Sequence, residues 1–181
     1  MSTGKRCPHQ VMEPGAPWAA WSCGLCDDAG VRMRALSLHD PYPELILDLP
    51  DEHRKDIENR ERSVMSTLGP LLIHVSARAT AERHAAALTV ARKAGVPEAL
   101  LPSSDNRQLG GILGCVLISQ ILPRASLLDH SFRWKFPNHV GYVLAKRVKL
   151  PFRAVSAGQG VFHVDLTQQE LGLIRGAGIV P

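Results

Sequence analysis

The chain has 181 residues, a net charge of +4 and a sequence pI near 9.1, with 45% hydrophobic but only 5% aromatic residues. That length suits one domain with an appendage, and the apolar share is that of an ordinary globular chain rather than a disordered or fibrous one. No stretch approaches the ~18 apolar residues of a membrane helix, and the start Met-Ser-Thr-Gly-Lys-Arg lacks the apolar run of a secretory leader; the expected compartment is the cytoplasm, where thiols stay reduced.

Residues 1–30 differ from the rest. They hold three of the four cysteines and two of the three tryptophans, with several Pro and Gly. Cys7, His9, Cys23 and Cys26 form a candidate Cys3His zinc site, because a Cys-x-x-Cys turn places two thiolates on one side of a tight loop that Gly24 eases. Cys7-Pro8-His9 is shorter than the usual ligand spacing. A segment this small cannot bury much surface, and a structural zinc ion would supply folding energy that it lacks. A tail with spare thiols and a redox Cys-x-x-Cys pair are the alternatives. Trp18 and Trp21 could pack on the metal loop or the following domain, or stack on bases.

The second unit, residues 31–181, opens with an alternating run, Met33 to Leu38, that reads as a strand. Pro41 to Leu49 reads as a helix, opened by Pro41-Tyr42-Pro43 and stopped by Pro50. Asp51-Glu52-His53-Arg54 reads as a turn into a strand from Lys55 to Glu61. Strict alternation there puts Lys55, Ile57 and Asn59 on one side and Asp56, Glu58 and Arg60 on the other. Pro70 to Val75 is a further strand. Thr80 to Ala94 is a helix with Thr80 as N-cap, Glu82 in the first turn, Arg92 and Lys93 in the last, and Gly95 and Pro97 beyond. Ala81, Ala85, Leu88 and Ala91 are its expected buried stripe, with His84 exposed.

Ser103 to Arg107 reads as loop. Gly110 to Leu122 is an apolar strand whose glycines permit bending and close approach, with Cys115 a small buried hydrophobe. Pro123 to Asn138 is a long excursion in which Phe132, Trp134 and Phe136 alternate with Arg133 and Lys135. That pattern suits base stacking beside phosphate contact, or a loop pinned by its aromatics. Val140 to Leu150 and Val161 to Val164 read as strands, with a Pro151-Phe152 turn after the first. Thr167-Gln168-Gln169-Glu170 is a capping box that opens a helix to Arg175, with Leu171 and Ile174 on its apolar side. Between Gln120 and Val155 lie Arg124, Arg133, Lys135, Lys146, Arg147, Lys149 and Arg153 against Asp129 alone. A one-signed run is the footprint of a polyanionic partner, or else a solvated face.

The order of motifs from Met33 to Ser76 resembles the ASCH domain, a branch of the PUA-like superfamily. Arg34 to Leu38 followed by Pro41-Tyr42 resembles the family's opening strand and Pro-aromatic step. The signature Gly-x-Lys-x-x-Glu-x-Arg falls on His53, Lys55, Glu58 and Arg60, with His53 in place of Gly. Gly69 to Ser76 resembles the next strand, and Gly141-Tyr142-Val143-Leu144 a later one. The resemblance spans about residues 32–166. It implies an α+β domain, a PUA-like β-barrel of five or six strands flanked by helices, with Lys55, Glu58 and Arg60 converging on one cleft and nucleic acid, RNA foremost, as partner. A bulge or strand end must then break the alternation of β residues there.

The candidate ligand site gathers His39, Lys55, Glu58, Arg60, His74 and Ser76, with Arg133, Trp134, Lys135 and Lys146 as outlying contacts. Lys and Arg hold phosphate or carbonyl oxygens, Glu accepts from an exocyclic amine, and His does either; such a pocket suits a nucleotide or flipped base. His39 and His74 are alternatively structural. Two other classes compete. Some relatives are amidohydrolases on acetylated cytidine, with a Lys, a Thr three residues on and a Glu on a later strand. Lys55 matches, but Glu58 occupies the Thr position and Gly110–Leu122 carries no carboxylate. A ribonuclease with His39 or His74 as general base is a further enzyme reading. The third class is a protein-interaction adaptor built on the zinc segment.

Overall fold

The computed structural model describes residues 30–105, 107–124, 133–158 and 160–179. The zinc candidates Cys7, His9, Cys23 and Cys26, with Trp18, Trp21 and Phe132, lie outside the described residues. The elements follow the hydropathy of the chain in order: β1 Arg32–Leu38, α1 Tyr42–Leu47, β2 Ile57–Arg60, β3 Gly69–Val75, α2 Ala81–Lys93, a 3-10 turn Glu98–Leu100, β4 Gly111–Leu122, β5 Val140–Ala154, β6 Val161–Asp165 and α3 Gln168–Gly176.

The strands form one mixed sheet in the order β2-β5-β4-β3-β1-β6. β1 and β3 are parallel, and the remaining pairs are antiparallel. This corrects the expected barrel: the chain is α+β with six strands, but β2 and β6 are the two edges and the sheet is open. The ladder would close only if the edges paired, and in the described strand pairing β2 is laddered to β5 and β6 to β1, not to each other.

Both faces of the sheet are covered along the first part of β4, which is why that strand reads as an apolar run as far as Ile118. Successive residues point to opposite sides. Leu36, Leu38, Leu71 and Ile73 join Ile46 and Leu47 of α1 on one face. Met33, Ala35, Leu72 and Cys115 join Leu171 and Ile174 of α3 on the other. A third cluster places Trp134 against Leu45, Leu49, Ile57 and Ala91.

Glycine lets β4 sit this close to its neighbours. A Cβ on Gly114 would stand 2.7 Å from Leu47 Cδ1 and 2.7 Å from the Val148 carbonyl oxygen. The β4–β5 register shifts between Ile112 and Gly114. β5 runs on through Pro151 and Phe152, where the sequence suggests a turn. Proline lacks a ladder donor, and the irregular register is where a strand tolerates that loss.

The helix caps are those expected. The Thr80 hydroxyl accepts from the Arg83 amide, and Thr167 and Glu170 form a reciprocal capping box. The buried stripe of α2 is displaced, however. It runs His84, Ala87, Ala91, while Ala81 and Ala85 are exposed. His84 is buried because its imidazole has a partner on another element, the Asp40 carboxylate.

Candidate functional site

β1 and β3, being parallel, deliver their C-terminal ends side by side, and the amide of Ser76 donates to the Leu38 carbonyl (2.8 Å). His39 and Ser76 are the next residues out, and Ser76 Oγ accepts from the Arg78 amide at 3.1 Å. The first turn of α2, with exposed Arg83, follows directly.

Lys55 stands two residues before β2, and its amide donates to the Leu45 carbonyl (2.8 Å). From there its side chain bends back over the strand start. Nζ donates to the Ile57 carbonyl (2.5 Å) and to Glu58 Oε2 (2.6 Å), and lies 5.3 Å from the Tyr42 ring centroid. The strand end, rather than a bulge, brings Lys55 to Glu58. The other carboxylate oxygen, Oε1, is 3.0 Å from Arg60 Nε, and Arg60 Nη2 donates to the Ser37 carbonyl at 3.1 Å. One carboxylate is thus shared between a buried ammonium and a half-buried guanidinium.

The electrostatics follow from this packing. Burial pushes the Lys55 ammonium below its usual range, against the pull of Glu58. Partial desolvation also lowers His39, assisted by the cations Arg83 and Arg60 and opposed by Glu58. Tyr42 is raised by burial and by Glu58. His39, Lys55, Glu58, Arg60 and Arg83 therefore share one neighbourhood at the ends of β1 and β3. Nothing in the local sequence of α2 marks Arg83 for this place.

His74 is positioned differently. Its Nε2 is 2.9 Å from the Val155 carbonyl and its Nδ1 is 3.0 Å from Ser37 Oγ. A carbonyl only accepts, so Nε2 carries the proton and Nδ1 receives the hydroxyl of Ser37. Phe162 meets the ring edge-on, and burial lowers its pKa. With both nitrogens engaged, His74 is a structural residue that steadies Ser37, on which Arg60 rests.

The outlying candidates lie in the excursion before β5 and on β5. Trp134 is 1% exposed, in the core, and its carbonyl accepts from Asn59 Nδ2 (2.6 Å). Asn59 Oδ1 accepts from the Phe136 amide (2.9 Å), so one amide side chain of β2 pins the excursion. Lys135 is buried and donates to the Phe136 and His139 carbonyls at 2.9 and 2.6 Å. Arg133 donates to the Glu52 and Ala94 carbonyls, and Lys146 to the Gly178 carbonyl. The one-signed run on β5 is matched by acids from other segments: Arg147 with Asp51 (3.1 Å), Lys149 with Asp48 (2.8 Å) and Arg153 with Glu170 (2.8 Å).

A second charged cluster lies one residue from His39. Buried Asp40 holds His84 Nδ1 at 2.6 Å and Arg107 Nη1 at 2.9 Å on the same oxygen, Oδ2. It ties α1, α2 and the loop before β4 together. The 84-87-91 spacing is its only trace in the sequence. Among the described residues no group of His, Cys, Asp and Glu is arranged to hold a metal ion, and no helix is long and apolar enough to cross a membrane.

Compared with known proteins, the chain matches no family model and no curated protein.

Proposed function

We propose that the chain is a nucleic-acid-binding module, for RNA foremost, whose cleft at the ends of β1 and β3 holds one nucleotide. The observation that carries this is the Glu58 carboxylate fixed between Lys55 and Arg60, with His39 and Arg83 beside it. A guanidinium held in place offers a planar fork to phosphate or to a base edge. Arg60 keeps Nη1 outside its described bonds, and Arg83 is exposed. Arg62 and Arg78 are exposed on the segments that follow β2 and β3, and in this proposal they form the cationic rim of the cleft. The ASCH-like order of Lys55, Glu58 and Arg60 supports the same reading. In this proposal Glu58 acts mainly by aiming Arg60, since each of its oxygens already faces a cation. A structural zinc ion on Cys7, His9, Cys23 and Cys26 belongs to the proposal, and metal analysis of the full-length chain against Cys23→Ser tests it.

Titration of short RNA and DNA strands at several salt concentrations tests the cleft. Arg60→Ala and Arg83→Ala are each expected to weaken binding. Each should also flatten the logarithmic salt dependence by about one unit for every phosphate that the variant no longer neutralises. If no strand binds at low salt, or if both variants bind as the parent does, the reading is wrong.

A further inference from the structure

Arg83, a cation beside His39, stands on the first turn of α2, and that turn has little apolar packing to hold it. Of residues 81–86, His84 alone is buried. Further along the helix, Ala87 offers one methyl group, and Ala91 joins the third core cluster with Val90 packed on it. The start of α2 is tied down instead by a polar bond. His84 Nδ1 stands 2.6 Å from Asp40 Oδ2, with the two side chains 7% and 1% exposed. The carboxylate accepts, so Nδ1 is the donor.

This bond lies one residue from the cleft on both of its sides. Asp40 follows His39 just past β1, and His84 follows Arg83. Asp40 is itself fixed, because Arg107 Nη1 donates to the same oxygen at 2.9 Å. As a device for stability alone the pair is poor. Asp40 Oδ1 and His84 Nε2 are buried with no hydrogen-bond partner among the described residues. Each is a cost that an apolar contact of similar volume avoids. What the hydrogen bond supplies is direction, which apolar contact does not.

We infer that Asp40 and His84 are positioning residues of the cleft: their bond sets the first turn of α2, and with it the Arg83 guanidinium, against His39 and Arg60 for contact with phosphate. The inference rests on the nucleotide-cleft reading and names what orients one of its cations. Titration of one RNA strand at low salt against variants of the full chain tests it. His84→Leu keeps buried volume and removes the bond, whereas His84→Asn keeps a donor where Nδ1 stood. His84→Leu is expected to weaken binding about tenfold, no more than Arg83→Ala does, and His84→Asn to recover most of that loss. In the Arg83→Ala background His84→Leu should have no further effect, because residues that act through one another are not additive. Arg92→Ala, which breaks the Arg92–Glu98 pair at the far end of α2, should bind like the parent. Hydrogen exchange over residues 81–86, faster in His84→Leu than in the parent or His84→Asn, reads the same turn without nucleic acid. Where His84→Leu does not fold, His84→Ala carries the same expectations. If no strand binds the parent, or Arg60→Ala and Arg83→Ala both bind like it, the cleft reading fails and this inference with it. With that reading intact, the inference is overturned by any of four results: Arg83→Ala or a folded bond-deleting variant binds like the parent, the loss persists in the Arg83→Ala background, His84→Asn recovers nothing, or Arg92→Ala is equally weak. Unchanged exchange in the turn overturns it as well.

Discussion

The Lys55 ammonium has three hydrogens and three neighbours: the Ile57 carbonyl, Glu58 and the face of Tyr42. Removing one partner of a buried pair leaves an uncompensated charge, whereas replacing both with apolar groups is often neutral. Glu58→Ala is therefore expected to destabilise the fold by about 3–5 kcal/mol. The double change Lys55→Met with Glu58→Leu should recover most of the loss, since Arg60 is half-exposed and keeps the Ser37 carbonyl. Urea unfolding of the three proteins checks this, and a Glu58→Ala protein as stable as the parent would show that the pair does not hold the site. His74 makes the matching prediction for pH. Its folded pKa lies below the ordinary 6.5 because the ring is buried. The unfolded chain therefore takes up the proton first as pH falls. Stability from this residue is complete above ~6.5 and is lost as pH falls from there through the folded pKa. Thermal melts between pH 7.5 and 5 should show a steeper decline for the parent than for His74→Gln. Cys115, whose thiol burial pushes up to about 12, takes no part in this range.

At the scale of elements, the tight crossing of β4 with α1 and β5 is set by what is missing from Gly114. Gly114→Ala forces a methyl against Leu47 and the Val148 carbonyl, and overpacking of this kind costs about 1–3 kcal/mol. The capping box of α3 is a smaller effect. Thr167→Ala removes one acceptor from the Glu170 amide, for about 1 kcal/mol. Glu170 has a second role, because Arg153 holds both its oxygens at 2.8 and 2.9 Å and so fastens α3 to β5. Burial alone would raise the Glu170 carboxyl, but Arg153 and the Thr167 amide hold it below the usual range. Denaturant midpoints should therefore rank parent, Thr167→Ala and Gly114→Ala in falling order, and the reverse order for the two variants would refute the close-packing account.

Over the whole molecule, net charge and local charge tell different stories. The +4 total and the run from Arg124 to Arg153 suggest a basic face on β5. Folding brings Asp48, Asp51 and Glu170 to Lys149, Arg147 and Arg153, and leaves exposed Arg62, Arg78 and Arg83 around the ends of β1 to β3. If the proposed cleft is where nucleic acid binds, Lys149→Ala should change the salt dependence of binding far less than Arg83→Ala, because a paired cation releases fewer counterions on binding. Equal effects on the salt slope would move the binding surface to β5. Salt titrations of the two variants on one RNA strand make the comparison.

The sequence by itself determined what depends on near neighbours in the chain. Period-two and period-3.6 patterning, Pro and Gly at boundaries, and the Thr80 and Thr167 caps act within a few residues, and those elements form near where expected, except that β5 continues through the expected Pro151-Phe152 turn. The convergence of Lys55, Glu58 and Arg60 was implied by the family resemblance alone: strict alternation puts Lys55 on the opposite side from the other two, and Lys55 meets Glu58 because it stands before β2 begins. Tertiary structure decided the rest. Whether six strands close or stay open depends on the pairing of β2 and β6, which no local signal encodes. The burial of His84 required Asp40, 44 residues away in the chain. Trp134 and Lys135 read equally as an aromatic-cationic contact surface or as a loop pinned by its aromatics, and Asn59 with the third core cluster draws Trp134 inward while the Phe136 and His139 carbonyls hold Lys135. A side chain's chemistry is fixed by its type, but its availability is fixed by the partners that other segments bring to it.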